Sequence, residues 1–562
     1  MIKQNLKNAL RAPVYGALRT AGVQHPRLVQ LLGGGVKLFQ WDRIVARTRD
    51  PRLLAPPAEG PRIVAFAVVG NTFLTDLELT LALALQARGA RVELVVCDGL
   101  HPRCELTTAE VLEKRDKAAV CAGCVGHFRR LARGLPLRVR YLSELVPAEE
   151  MARVRAQAAA VPLDERLGEY APDGAGVGEA AQKTALRHFQ SGVLPAGEMR
   201  DPTLRGYLEA SLITKRAAEV LAAEGGLHTV LMSHGIYSSW GPALDVFRAG
   251  GVPVVTYGKA LRRNTFFFNV NSSAANIDIT GSWESRYRTR ALDPAERAAA
   301  LDYLGSREDF SQDSVRYTFA DPAERESVLR TLGLDPSRPV ITLFTNNLWD
   351  AAAVGRDLVF PTAVDWAVET VRFVAERPRL QLVVKPHPAE AIRGTRQSIG
   401  SAIAEAFPRL PPNVLVLPPD TTVNPTSMMK ATTIGVVHTS TVGLEMSAHG
   451  IPAVVVSRAH YREKGFTFDP AGIDEYFALL EQPEALVARM TPEHRELALK
   501  YFYVWVHRYQ HLLDLFEEDP AGWIRIIGYR MDSLDDLLPG RHRNLDFICD
   551  GILRGLPDLV AD

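Results

Sequence analysis

The chain has 562 residues, too many for one core at about 100–200 residues per domain, so two large domains with accessory segments are expected. Lys+Arg and Asp+Glu balance at 65 each and 47% of the residues are hydrophobic, which excludes a disordered chain and a globally basic nucleic-acid binder. The longest apolar runs, such as 63–69, are strand-length, whereas a membrane span takes about 20 apolar residues. Four of the five cysteines fall within 97–124, too few and too clustered for a secreted disulfide scaffold, so a cytoplasmic, reducing location is expected.

Residues 1–60 are expected to be a basic helical segment: the first fifty carry nine Lys/Arg against Asp42 and Asp50. Lys3, Lys7 and Arg11 interrupt Ile2, Leu6 and Leu10, so a cleaved leader is not expected. The same spacing suits a short amphipathic helix, packed on the protein itself or resting on anionic lipid as a peripheral inner-membrane contact, and ended by Pro13.

From residue 61 apolar strands alternate with helices, the rhythm of a parallel sheet: strand 62–69, helix 75–88, strand 91–96. A helical stretch to about 224, broken by the Gly-rich loop 172–178, leads to strand 229–233, helix 239–250 and strands 252–257 and 265–270. Residues 61–292 thus read as a first Rossmann-like, doubly wound domain. The charged stretch 293–336 reads as a helical connector. A second series covers 337–480, with strands 339–344, 380–385, 414–417, 434–437 and 452–457 and helices 361–376 and 441–449. Residues 481–562 read as a helical extension, whose Phe502, Trp505, Tyr509, Leu512 and Phe516 form a core or interdomain stripe. The expected fold class is α/β, two Rossmann-like domains facing a cleft, with ligands beyond the carboxyl ends of the strands.

Leu382-Val383-Val384-Lys385-Pro386-His387-Pro388 ends a buried strand in a cation and an imidazole held between prolines. Lys385 and His387 can donate to phosphate oxygens, Lys385 adding a point charge. About fifty residues on, Ile434–Val437 runs into His438-Thr439-Ser440-Thr441-Val442-Gly443-Leu444-Glu445. Free N–H groups at such a helix start bind anions, and Ser440 and Thr441 either cap the helix or also touch phosphate. Glu445 either accepts from a ribose or sugar hydroxyl or complements the helix dipole. Thr345, Asn346 and Asn347 end the first strand of the same domain and either line the crevice or form a turn.

These motifs, with 450–455, 461–467 and, in the first domain, Ser233-His234-Gly235-Ile236-Tyr237-Ser238-Ser239-Trp240-Gly241-Pro242, resemble bacterial capsule polysaccharide biosynthesis proteins, a broad family that includes β-Kdo transferases and is similar to other GT-B glycosyltransferases. The resemblance is firmest over 340–470. It implies a nucleotide-sugar donor, CMP-Kdo being one candidate, bound on the second domain, with His387 at the donor phosphate and Ser440 and Thr441 assisting. It also implies a glycan or glycolipid acceptor and no obligatory catalytic metal. Chemistry of this kind needs a carboxylate or imidazole at the acceptor hydroxyl; His234 is the leading candidate, ahead of Asp98, Asp76 and Glu78. A UDP-sugar 2-epimerase, a CDP-glycerol glycerophosphotransferase and a non-catalytic assembly protein are the alternative readings.

Cys97, Cys104, Cys121 and Cys124 are four thiols, the last two at knuckle spacing, which suits a structural zinc; an iron–sulfur cluster or plain thiols are the other readings. Cys549 is expected to be packed.

Overall fold

Ile63–Phe66 is an unbroken apolar run, and Val92–Val96 is broken only by Glu93; all of these residues are buried, the pattern of strands covered on both faces. The computed structural model describes residues 40–562 except 71–72, 317–320, 352 and 520–523, so the helix expected on Ile2, Leu6 and Leu10 lies outside the described residues. The chain forms two units: the described residues up to Ala181 with Thr203–Ala274 and His511–Ala561, and Gln182–Pro202 with Ala275–Gln510 and Asp562.

In chain order the strands are β1 (Arg62–Phe66), β2 (Arg91–Val96), β3 (Arg138–Tyr141), β4 (Leu227–Ser233), β5 (Val254–Lys259), β6 (Thr265–Val270), β7 (Val340–Phe344), β8 (Gln381–Lys385), β9 (Val414–Val416), β10 (Ile434–Val437), β11 (Ala453–Val455), β12 (Gln510–Leu512), β13 (Phe516–Glu518) and β14 (Ile526–Tyr529). The first sheet runs β12-β6-β5-β4-β1-β2-β3 and the second β11-β10-β7-β8-β9, while β13 and β14 form an antiparallel pair. In the first sheet β3-β2-β1-β4-β5 are parallel and β6 is antiparallel to β5; all of the second is parallel. Each unit is therefore an α/β Rossmann-like sheet in the doubly wound order 3-2-1-4-5, with its switch point between the first and fourth strands.

Helices cover the faces of both sheets. Phe73–Gln86 is buried all round: every residue after Phe73 is covered, including Asp76 and Glu78. In the second unit, Ala363–Ala375 starts at Thr362, whose hydroxyl accepts from the Asp365 N–H at 3.0 Å, and buries Trp366, Ala367, Val371 and Val374. Those side chains join Ile341, Leu343, Leu382, Val384, Ile434 and Val436 in one core.

Three expectations change. The unit boundary falls after Ala274, and the connector 293–336 lies within the second unit, because Arg307 is tied into that core by ion pairs. The segment 481–562 is not helical throughout: its helix Pro492–Tyr503 passes through a wider turn, Val504–Arg508, and gives way to β12, β13 and β14. Phe502, Trp505 and Tyr509 are buried as the stripe requires, but Leu512 is 47% exposed and Phe516 is packed from a strand. Beyond residue 510 this chain completes the first unit, where Phe516, Ile526, Tyr529 and Ile548 share a core with Trp41, Ile63 and Leu94. Among the described residues no helix is long and apolar enough to cross a membrane.

Leu343, fully buried at the centre of the second sheet, is the sharpest probe of that core. Leu343→Ala is expected to destabilise the second unit by about 2–5 kcal/mol; a urea or calorimetric transition like that of the wild type would contradict this packing.

Candidate functional site

Parallel register brings the polar residues of the second unit together. Val437 pairs with Phe344 and Phe344 with Lys385, so the residues two positions beyond, Thr439, Asn346 and His387, leave the sheet side by side at one edge. The Thr439 N–H donates to Asn346 Oδ1 at 3.2 Å across β10 and β7, the switch point of this sheet. The Thr345 N–H donates to the Lys385 carbonyl at 3.1 Å across β7 and β8. With strands about 4.8 Å apart, β8 and β10 stand roughly 10 Å from each other on either side of β7.

His387 is oriented by its own chain. Its Nδ1 accepts from the Ala389 N–H at 3.1 Å, which leaves the ring proton on Nε2. Burial pushes its pKa down to about 4, with Lys385 adding to this and Asp350 opposing it. At neutral pH His387 is a neutral Nε2–H donor. Lys385, 3% exposed, donates to the Pro386 carbonyl at 3.3 Å. Burial lowers its pKa to about 8 against the attraction of Glu390, and burial raises Glu390 to about 7 against the attraction of Lys385.

Around this edge several buried polar atoms have no hydrogen-bond partner among the described residues: Thr345 Oγ1, Asn347 Oδ1, Thr439 Oγ1, His438 Nδ1 and both carboxylate oxygens of Glu390. Native proteins satisfy most such groups, so their concentration at one strand edge marks a place built for a polar ligand. His438, 2% exposed, shares its Nε2 with Asp357 Oδ1 at 3.0 Å.

The helix Val442–His449 starts where β10 ends. Ser440 Oγ accepts from the Val442 N–H at 3.4 Å, and Thr441 makes no side-chain cap bond. Gly443 permits this packing: a Cβ there would sit 2.4 Å from Tyr461 Oη and 2.8 Å from Val437 Cγ2. The Tyr461 hydroxyl in turn donates to the Ser440 carbonyl at 2.5 Å, bracing the turn from below.

Glu445 is not available to a sugar hydroxyl. It is 3% exposed, and its Oε1 accepts from Arg307 Nε at 3.2 Å. Arg307 also pairs with Asp313, which accepts from the Tyr303 hydroxyl at 2.7 Å. Burial raises the Glu445 pKa despite Arg307. The carboxylate thus fastens the first turn of the helix to the chain around residue 307.

In the first unit His234 follows β4 in a left-handed conformation, φ 53°, and Gly235 continues it at φ 64°. Strain of this kind persists where surroundings over-determine it: the His234 N–H donates to the Tyr257 carbonyl at 3.1 Å and its carbonyl accepts from the Ala274 N–H at 2.7 Å. Its Nδ1 lies 2.6 Å from Ser233 Oγ, and the ring packs against Tyr237 and Trp240. Asp98, just past β2, accepts from Ser143 Oγ at 2.5 Å. Asp76 leaves the set of catalytic candidates: it is 4% exposed inside its helix and bonded by the Tyr529 hydroxyl, itself bonded by Trp41. Glu78 is equally interior, accepts from the Tyr257 hydroxyl at 2.8 Å, and is pushed by burial to a pKa of about 8.

The four-cysteine zinc site is also corrected. Among the described residues no group of three or more His, Cys, Asp or Glu side chains is placed to hold a metal ion. Cys121 and Cys124 sit inside the helix Lys117–Gly134 rather than at a knuckle turn. Burial pushes up the thiols of Cys97, Cys104 and Cys124, the last to about 11, which keeps them protonated. Cys549 is buried and free, as a packed cysteine should be.

Residues 334–496 match the profile of the family described as capsule polysaccharide biosynthesis protein. No curated protein matches the chain. Among solved structures, the Thermosulfurimonas dismutans KpsC β-Kdo 2,4 transferase is 16% identical with a TM-score of 0.36, over 56% of this chain and 88% of that one. The β-Kdo 2,7 transferase of the same organism's KpsC is 13% identical with a TM-score of 0.32, over 56% and 86%. The S. aureus MnaA–UDP structure is 10% identical with a TM-score of 0.25, over 78% and 91%.

Gly443→Ala is expected to cost about 1–3 kcal/mol through overpacking. Because the nearest obstacle is the Tyr461 hydroxyl, Tyr461→Phe should absorb part of that loss, making the double variant more stable than the sum of the singles. Strict additivity in denaturant unfolding would contradict the contact.

Proposed function

We propose, from the match of residues 334–496 to the capsule polysaccharide biosynthesis family, that this chain is a GT-B-type glycosyltransferase that moves a sugar from a nucleotide-sugar donor to a growing surface polysaccharide. The observation that carries the reading is the row of buried polar atoms without partners at the carboxyl ends of β7, β8 and β10. A phosphate group brings acceptor oxygens that suit Lys385 Nζ, His387 Nε2–H, the hydroxyls of Thr439, Ser440 and Thr441, and the N–H groups at the start of Val442–His449. Asn346 is committed to the Thr439 N–H and holds that turn, while Asn347 is free to turn its amide to a ligand.

In the proposed mechanism the leaving nucleotide phosphate gains negative charge as the glycosidic bond to the donor breaks. Lys385 and the neutral His387 donor stabilise that charge from fixed positions, so little reorganisation accompanies the step. In the first unit, His234, its ring held by Ser233 Oγ at Nδ1, is the imidazole suited to take the proton of an acceptor hydroxyl. CMP-Kdo is the donor we favour, because β-Kdo transferases belong to the family that the motifs resemble.

Two outcomes are expected. His387→Ala removes one hydrogen bond to a charged group, worth about 1.5–3 kcal/mol, and should weaken CMP, CDP or UDP binding by roughly tenfold or more in a thermal-shift or calorimetric titration; wild-type affinity in that variant would remove His387 from the site. The second outcome is a pH dependence. Lys385 is charged below about pH 8 and Glu390 becomes charged above about pH 7, so both changes disfavour an anion as pH rises. Nucleotide affinity should therefore fall between pH 7 and 9, and a flat or rising profile would contradict the assignment of Lys385.

A further inference from the structure

A second polar cavity lies wholly within the first unit, at the carboxyl ends of β2 and β3. It measures about 260 Å³ and is lined by Asp98, Arg129, Ala132, Arg133 and Tyr141. Arg129 and Arg133 stand one turn apart on the helix Lys117–Gly134, so both guanidinium groups project from one face. Both are exposed, and neither has an ion-pair or hydrogen-bond partner among the described residues. The neighbouring Arg140, by contrast, is paired with Glu93 and Glu224. Facing them, Asp98 spends one oxygen on Ser143 Oγ, while its Oδ1 is buried without a partner among the described residues. Tyr141, half-buried, supplies a ring and a hydroxyl.

Two cations against one carboxylate leave the cavity net positive and so select an anion, and guanidinium groups favour planar or tetrahedral oxyanions that they can grip with paired donors. A bare anion would leave Asp98 unsatisfied and repelled; a ligand with hydroxyl donors beside its anionic group satisfies both halves. We propose that this cavity binds one acidic sugar unit, a carboxylate- or phosphate-bearing polyol, with Arg129 and Arg133 on the anionic group, Asp98 accepting from ring hydroxyls and Tyr141 against the ring. The cavity is sized for about one monosaccharide, near the lower end of small-molecule sites. The proposal extends the glycosyltransferase reading to the chemistry of the acceptor and stands on residues separate from the nucleotide edge.

Ligand-observed NMR titration of the full chain with glucuronate, glucose 1-phosphate, glucose and inorganic phosphate tests it. Glucuronate should bind at least tenfold more tightly than glucose, and glucose 1-phosphate and inorganic phosphate are compared in the His387→Ala background. Arg129→Ala/Arg133→Ala should abolish that preference, and Asp98→Asn should bring the acidic sugar down to the affinity of phosphate. His387→Ala should leave glucuronate binding unchanged, and the double arginine variant should bind CMP as the wild type does, so failure of one site is read separately from failure of the other. Equal affinity for glucose and glucuronate, or glucuronate binding that survives loss of both arginines, would each overturn the proposal. Exposed arginines tolerate truncation, and an unchanged melting curve verifies that the variants are folded.

Discussion

Adjacent parallel strands in register must end level with one another, and in the second unit this places Lys385, Phe344 and Val437 in one row. Everything polar at the site is placed by that row. His387, Asn346 and Thr439 follow it by two residues on three neighbouring strands, and the helix beginning at Val442 follows directly. The core beneath, from Ile341, Leu382, Ile434 and Trp366, is fully buried, so the edge has a rigid support.

Given that support, the cost of the edge becomes informative. Burying a polar group without a partner is unfavourable by a few kcal/mol, yet Thr345, Asn347, Thr439, His438 and Glu390 all hold such atoms within a few residues of the strand ends. Lys385 and Glu390 are driven towards neutrality by the same desolvation. Such an arrangement stores unmet hydrogen-bonding capacity that a phosphate and its ribose or sugar can use. Other buried charges of the chain are each given at least one strong partner. Arg307 engages both Glu445 and Asp313, and Asp76 and Glu78 each receive a tyrosine hydroxyl.

Much of this was legible in the chain itself. Strands buried on both faces read as short, largely apolar runs, so β7, β8 and β10 are found within a residue of the positions their sequences mark, and the prolines flanking His387 announce a fixed turn. What local pattern cannot carry is pairing across distance. Arg307 meets Glu445 across 138 residues and Asp357 meets His438 across 81, so neither partner could be inferred from spacing. Without Arg307 in view, Glu445 reads either as a ligand-facing acid or as a complement to the helix dipole; with it, Glu445 is a fastening. Periodicity failed for another reason at the carboxyl terminus, where Leu512 and Phe516 continue a helical spacing by coincidence while the chain has already turned to strand. The cysteine spacing misled because Cys121 and Cys124 are neighbours on a helix face, a geometry that sequence separation alone does not distinguish from a knuckle.

The central claim is that the strand ends of the second unit grip a nucleotide phosphate. A crystal structure of the full chain soaked with a nucleoside monophosphate tests it most directly. The phosphate is expected within hydrogen-bond distance of His387 Nε2 and of the Ser440–Thr441 turn, with Lys385 Nζ turned towards it. A well-ordered nucleotide bound elsewhere, with those groups untouched, would contradict the account.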